Sequence, residues 1–241
     1  MSNVGKITAL DDLAAMPAPL PGPMSAVLEL ELGKLGRVGT RRPLRQLAVL
    51  GGISTVYGLG LLAALSMRRD AIELPMWWLG GMAVLWAFGF IVPCYLALVP
   101  KPGNVSPRWR WAAGSAVLTS ILFVGLNVVV GELVHPHGAD SLYYGWERFG
   151  RGHTCLELGL AAALVPVIVG AIFLRGALPV RSRVVAAALG AGSGCLGGLV
   201  LHAHCRIADG VHIGLMHGGV VIVAALLSAA LVPRATDQPL R

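Results

Sequence analysis

The stretch Gly190–Gly219, GAGSGCLGGLVLHAHCRIADGVHIGLMHGG, changes character twice. It starts as an apolar run of small residues, turns through a polar corner around Arg206 and Asp209, and re-enters an apolar run. Lipid cannot satisfy loose backbone polar groups, so runs of this kind predict two membrane helices joined by a short turn. His202, His204, Cys205, His212 and His217 all fall at or near the corner. A second segment, His153-Thr154-Cys155, offers the same two side-chain types at the start of another apolar run.

Composition extends this reading to the whole chain. Of 241 residues, 56% are hydrophobic and 13% charged, with a mean hydropathy of +0.73, whereas soluble domains carry about 25% charged residues. A helix of about 20 apolar residues crosses the roughly 30 Å hydrocarbon core of a bilayer. Six such runs occur, at approximately 47–66, 76–99, 111–134, 155–174, 184–203 and 213–232. None alternates as a barrel strand does. The expected fold is all-α and polytopic, with six transmembrane helices occupying 44–232 and a short polar tail at 233–241. Trp77, Trp78, Trp109 and Trp111 stand at span ends, where indoles anchor at headgroup level. Pro93 and Pro166 fall inside spans 2 and 4 and are candidates for kinks.

The formal net charge of +7 would suit a nucleic-acid binder if the cations were clustered, but they alternate with the spans. Lys6, Lys34, Arg37, Arg41, Arg42, Arg45, Lys101, Arg108, Arg110, Arg175, Arg181, Arg183, Arg234 and Arg241 fall on one side. The other side holds Arg68, Arg69, Arg148, Arg151 and Arg206. By the positive-inside rule both termini are expected in the cytoplasm. No cleavable signal peptide is expected, since the first 40 residues lack a continuous apolar core.

Residues 1–43 read as a separate cytoplasmic arm. Thr8-Ala-Leu-Asp11 resembles a capping box, with Leu10 and Leu13 on one side of a short helix. Pro17, Pro19, Pro21 and Pro23 impose an extended spacer. Val27, Leu28, Leu32 and Leu35 then recur at helical spacing. Two amphipathic pieces around a spacer suit an arm that folds on a partner protein, or a juxtamembrane helix lying on membrane lipid.

With this topology all seven histidines, together with Cys155 and Cys205, lie on or near the outer side. Two readings of the cysteines stand open. In an oxidising periplasm they could form a structural disulfide joining spans 4 and 5. They could instead be a switchable pair, acting as metal ligands or redox sensors. His202 and Cys205, at i and i+3, share a face if the helix persists through the corner, and His153 is close enough to join Cys155. A soft His/Cys set suits copper or zinc by ligand type, although the spacing matches no standard zinc pattern. Five positions separate His212 from His217, which places them apart on an ideal helix, so at least one is expected to pack instead of ligating. Cys94 and Cys195 read as small core residues.

Catalytic templates fail: there is no GxSxG elbow, no phosphate-binding GxxxxGK[ST] and no HExxH. Glu132 and Glu157 sit at outer ends, so no paired intramembrane carboxylates suggest a proton relay. No nucleic-acid module appears. The chain is not expected to be an enzyme.

The order of features in the last two thirds resembles a known family. Cys155-Leu156 opens a Pro-containing span, a basic Pro loop follows, and then come Gly190-Ala-Gly192-Ser-Gly194 and Gly197-Gly-Leu-Val-Leu-His202-Ala-His-Cys205. This is similar to the NrsF-type, CarR-like six-span anti-sigma factors of Gram-negative bacteria. Their pattern places a Cys at the outer start of span 4 and a His-Cys pair at the outer end of span 5, positions held here by Cys155, His202 and Cys205. His204, His212 and His217 depart from it, since the family carries an aromatic segment there.

The resemblance implies a bacterial inner-membrane regulator whose cytoplasmic N-terminus sequesters an extracytoplasmic-function (ECF) sigma factor. An event on the periplasmic side, metal-, redox- or light-linked, would release it. Residues 1–43 would hold the sigma factor, and the site at Cys155 and Cys205 would sense the signal. The rival from another class is a membrane oxidoreductase that binds haem or copper through the outer histidines.

Overall fold

The computed structural model describes residues 42–69, 71–72, 74–99, 108–134, 141–175, 182–207 and 210–236, with side chains for these except 108 and 130–151. Of the N-terminal arm only Arg42 and Pro43 are among them, so Leu10, Leu13, Val27, Leu28, Leu32 and Leu35 lie outside the described residues. Every helix of membrane length found in this region matches one of the six apolar runs. They are α1 (Pro43–Leu65), α2 (Met76–Leu98), α3 (Arg108–Val134), α4 (Ser141–Leu174) and α5 (Ser182–His204). The sixth, α6, is composite: an opening turn Gly210–His212, a π-helical segment Ile213–His217, and an α-helix Gly218–Thr236. The described protein is all-helical, with six helices long and apolar enough to cross a membrane.

Two boundaries differ from the sequence expectation. α4 is a single helix of 34 residues that begins at Ser141, well before the apolar run at 155, because hydropathy marks immersion in lipid and not where helical hydrogen bonding starts. α1 begins at Pro43, a residue suited to a first helical position because its missing N–H would have no intrahelical partner there. Pro93 and Pro166 both lie inside continuous helices.

α5 is the axis of the bundle. In its apolar window 83% of residues are buried, against 17% for α1, so α1 is peripheral and α5 is enclosed by protein. Lipid tails are as apolar as leucine, so helices in a bilayer associate through close packing and not through hydrophobic exclusion. The glycines of α5 allow that approach. A Cβ on Gly194 would fall 2.6 Å from the Cα of Val221 in α6, and one on Gly197 would strike the backbone carbonyl of Gly159 in α4. Gly198 lies against the Trp86 ring, which in turn stacks on Phe123 of α3 with centroids 3.9 Å apart. The core therefore runs from α2 and α3 through α5 to α6. Trp77 and Trp111 are exposed, as interfacial anchors would be, but Trp78 is buried and belongs to the core.

One end of the bundle is fastened by polar contacts. The loop after α1 leaves the helix through Ser66, whose φ of 65° is left-handed, a conformation that costs a non-glycine residue about 1–3 kcal/mol. That turn brings the Arg68 N–H onto the Ala203 carbonyl at 3.0 Å and the Arg68 guanidinium onto the His202 carbonyl at 3.4 Å. Both acceptors are terminal carbonyls of α5, which have no intrahelical donor and favour a nearby cation. The start of α4's apolar part and the start of α6 meet the same end, because Cys155 and His212 both contact Cys205 there.

Candidate functional site

Cys155 lies at the start of the apolar part of α4 and is half-buried. Cys205 is the first residue beyond α5; its N–H still reaches the Leu201 carbonyl at 2.7 Å, so the helical turn fixes its direction. Their sulfurs are 3.8 Å apart, and all four cysteines of the chain are free thiols. His212 Nε2 lies 3.6 Å from Cys205 Sγ. His217 completes the group: one ligand atom from each of Cys155, Cys205, His212 and His217 lies within 4.8 Å of all the others.

The pairing of His212 with His217 is the feature that sequence spacing argued against. On an α-helix of 3.6 residues per turn, residues five apart point about 140° away from one another. Here the segment between them is π-helical, and the Gly218 N–H bonds to the Ile213 carbonyl five residues back. Bonding at i→i+5 widens the turn and stacks residues five apart. The two rings consequently meet edge to face, with centroids 5.5 Å apart.

Glycines make the widened turn fit. A Cβ on Gly214 would lie 3.0 Å from the Val124 carbonyl oxygen, and one on Gly218 would lie 3.0 Å from Val124 Cα, so both admit the α3 backbone on the far side of the segment. Gly152 of α4 does the same for the near side, where a Cβ would lie 3.1 Å from His212 Nδ1. Gly152 is a site-shaping residue that sequence reading passed over; its signal was its position three residues before Cys155.

The surroundings are dry. Cys205, His212 and His217 are all buried, His217 to 1% exposure. Neither ring nitrogen of His217 has a hydrogen-bond partner among the described residues, and an orphaned buried polar group costs about 1–3 kcal/mol. The Cys155 side chain above all, then the His212 and His217 rings, hold the Cys205 thiol below the ordinary thiol range against the upward push of burial. A thiolate beside imidazoles is the state in which sulfur binds metal or reacts with oxidant.

The other candidate residues take different places. His202 is buried, but its Nε2 meets the Leu79 carbonyl at 3.2 Å and its ring packs on Trp78 with centroids 4.6 Å apart. His204 Nδ1 donates to the Ser66 carbonyl at 2.8 Å. These two histidines tie α5 to α2 and to the loop after α1. His153 is exposed and stands outside the four-residue group. Met216 is buried and packs beside Gly152. Cys94 and Cys195 are buried core residues, as their sequence context suggested.

Fold and site together define a multi-pass α-helical membrane protein that carries a group of two cysteines and two histidines, three of them buried and Cys155 half-buried, at one end of its bundle. The chain belongs to the NrsF family, described as negative regulator of sigma F, which matches residues 33–236. It is also 27% identical over 229 residues to the carotenogenesis protein CarR of Myxococcus xanthus, an alignment covering 92% of this chain and 96% of that protein. No solved structure matches. The resemblance carried by Cys155, the glycine run and the His202–Cys205 segment is thus a family relationship.

Proposed function

We propose that this protein is a membrane anti-sigma factor of the bacterial inner membrane. Its cytoplasmic arm, residues 1–43, sequesters an ECF sigma factor, and the Cys155–Cys205 end of the bundle faces the periplasm. A metal, redox or light-linked oxidative signal at that end releases the sigma factor. The observation that carries the reading is the family match across residues 33–236, supported by the near full-length alignment with CarR. The charge distribution supports the orientation, since most Lys and Arg fall on the side assigned to the cytoplasm.

Geometry supports the division of labour. Ser66, at the end of α1, touches the site end of α5. The 23 residues of α1 carry Pro43 about 33 Å away at 1.5 Å per residue, which is a hydrocarbon thickness. Pro43, the first helical residue of α1, therefore stands about one membrane thickness from the end of the bundle that carries the cysteines. Against the oxidoreductase reading, His202 and His204 are engaged with backbone carbonyls. His212 and His217 have ring centroids only 5.5 Å apart, so they cannot ligate one haem from its two opposite faces.

The test is co-purification from detergent of sigma factors of the host with the full-length chain and with a chain lacking residues 1–43. Capture by the full-length chain alone is the expected result. Capture by neither overturns the anti-sigma reading, and a Soret absorption band in the purified protein would favour the haem alternative.

A further inference from the structure

Ligand atoms of Cys155, Cys205, His212 and His217 all lie within 4.8 Å of one another, and two of their separations are those a bound ion would impose. A tetrahedral zinc-class ion holds sulfur at about 2.3 Å and imidazole nitrogen at about 2.0–2.1 Å. Tetrahedral angles then place two ligating sulfurs about 3.8 Å apart and a sulfur and a nitrogen about 3.5 Å apart. The observed separations are 3.8 Å between Cys155 Sγ and Cys205 Sγ and 3.6 Å between Cys205 Sγ and His212 Nε2. Thiol hydrogen bonds also fall at these separations, so the distances are compatible with an ion, and it is the convergence of four such ligands on one point that favours one.

Two further observations point the same way. His217 is 1% exposed and neither of its ring nitrogens meets hydrogen-bond geometry with a described residue, although natural interiors pair the large majority of such groups. An ion held by one of those nitrogens supplies the partner. The π-helical segment Ile213–His217 has a conformation rare enough to mark functional positions, and its effect here is to bring His217 alongside His212.

From this geometry we infer that Cys155, Cys205, His212 and His217 form a closed, four-ligand site for one divalent ion of the zinc class, which clasps α4, the end of α5 and the start of α6. Two thiolates and two neutral imidazoles meet the full tetrahedral requirement of zinc, so no position is left open for water or substrate and the site is not a catalytic one. Its ligands come from three separate segments of chain. Loss of the ion removes bonds that join all three at this end and leaves two neighbouring thiolates without a counter-charge in largely buried surroundings. The ion is therefore suited to hold one packing of the helices. Its regulatory purpose rests on the anti-sigma reading, whereas its chemistry does not.

The experiment uses the full-length chain in detergent, purified with a phosphine reductant, and measures three quantities on the same sample. Metal content per chain comes from mass spectrometry; the visible spectrum is taken after exchange with cobalt(II); co-purified sigma factor is determined by immunoblot. The expected result is one zinc per chain and a cobalt spectrum with intense tetrahedral ligand-field bands and sulfur-to-cobalt charge transfer. Cys205→Ser and His217→Ala should each weaken cobalt binding by more than the roughly 10–100-fold typical of losing a supporting group around a metal. His153→Gln, altered at an exposed position outside the group, should bind as the parent does.

The inference is overturned by a reduced parent protein that takes up neither zinc nor cobalt, by a weak octahedral cobalt spectrum, or by a His217→Ala protein with parental affinity. A disulfide between Cys155 and Cys205 that, once reduced, still yields no metal binding also overturns it. Because the spectra are taken on the unsubstituted chain, misfolding of a variant does not decide the matter. Metal without sigma factor sinks the anti-sigma reading and leaves the site; sigma factor without metal does the reverse.

Discussion

His202 and His217 are both buried at the same end of the protein, yet their environments assign them different work. His202 has a carbonyl for its Nε2 and an indole for its face, so its contribution is the attachment of α5 to α2. His202→Ala should lower stability by about 1–3 kcal/mol, the usual cost of removing one partner of a buried hydrogen bond. The bound metal should remain unchanged. Thermal unfolding in detergent beside metal content separates the two effects, and loss of metal at intact stability would make His202 a ligand after all. Gly152 gives the converse case. A Cβ there would lie 3.1 Å from His212 Nδ1 and 3.2 Å from Met216 Cγ, and the further methyls of a valine would press the ring or the thioether out of place. Gly152→Val should therefore reduce cobalt affinity while the protein keeps its unfolding temperature to within a few degrees, as about 1 kcal/mol shifts a chain of this size by about 2–4 °C. A Gly152→Val protein with the parental spectrum would show that His212 has room to accommodate the change.

At the scale of the helix, small residues separate into those that touch a neighbour and those that face outward. Gly194 opposes the Val221 backbone, while a Cβ on Gly51 would meet nothing within 4 Å. Gly194→Val must push α6 away from α5, an overpacking that costs about 1–3 kcal/mol and often more against backbone. Gly51→Ala should be neutral or stabilising by up to about 1 kcal/mol, since it removes only conformational freedom. Unfolding temperatures of the two variants test the pair, and equal behaviour would refute the packing described for α5. Sequence composition could not make this separation, because both glycines lie in equally apolar runs. It did reveal the spans themselves, since lipid demands a length and polarity that six runs meet. It also singled out Cys155 and Cys205 by their position at span ends. The histidine assignments required the structure. His202 and His204 bond to carbonyls on other elements, and a backbone acceptor leaves no trace in composition. His212 and His217 meet through a π turn, and a spacing of five looks unfavourable whenever an α-helix is assumed. The Gly214 and Gly218 pair, four apart and facing α3, was the sequence sign that the backbone there is closely approached.

Among the membrane-length helices, α5, which leads into Cys205, is the most enclosed and α1 the least. The ligands pin α4, α5 and α6, while α1, which continues from the arm, is mostly exposed to its surroundings. Among the described residues a polar contact joins α1 to the ligand-bearing α4: the Tyr57 hydroxyl donates to the Ala161 carbonyl at 3.0 Å, less than two turns along α4 from Cys155. On the proposed reading, coupling of the site to α1 needs an element whose position both bias, and this contact is a candidate for it. If ion loss lets α4 shift against α5 and α6, Tyr57 transmits the shift to α1. In the parent protein, a zinc chelator should release captured sigma factor and expose Cys155 and Cys205 to alkylation. Tyr57→Phe should leave sigma capture and chelator-dependent alkylation as in the parent, and should reduce the release by severalfold, within the range of about 0.5–2 kcal/mol seen for residues that modulate coupling without touching either ligand. Capture of the sigma factor, alkylation and release can be followed in one titration. Undiminished release in Tyr57→Phe would move the coupling to the packed α5–α6 face, where Gly194 and Val221 meet.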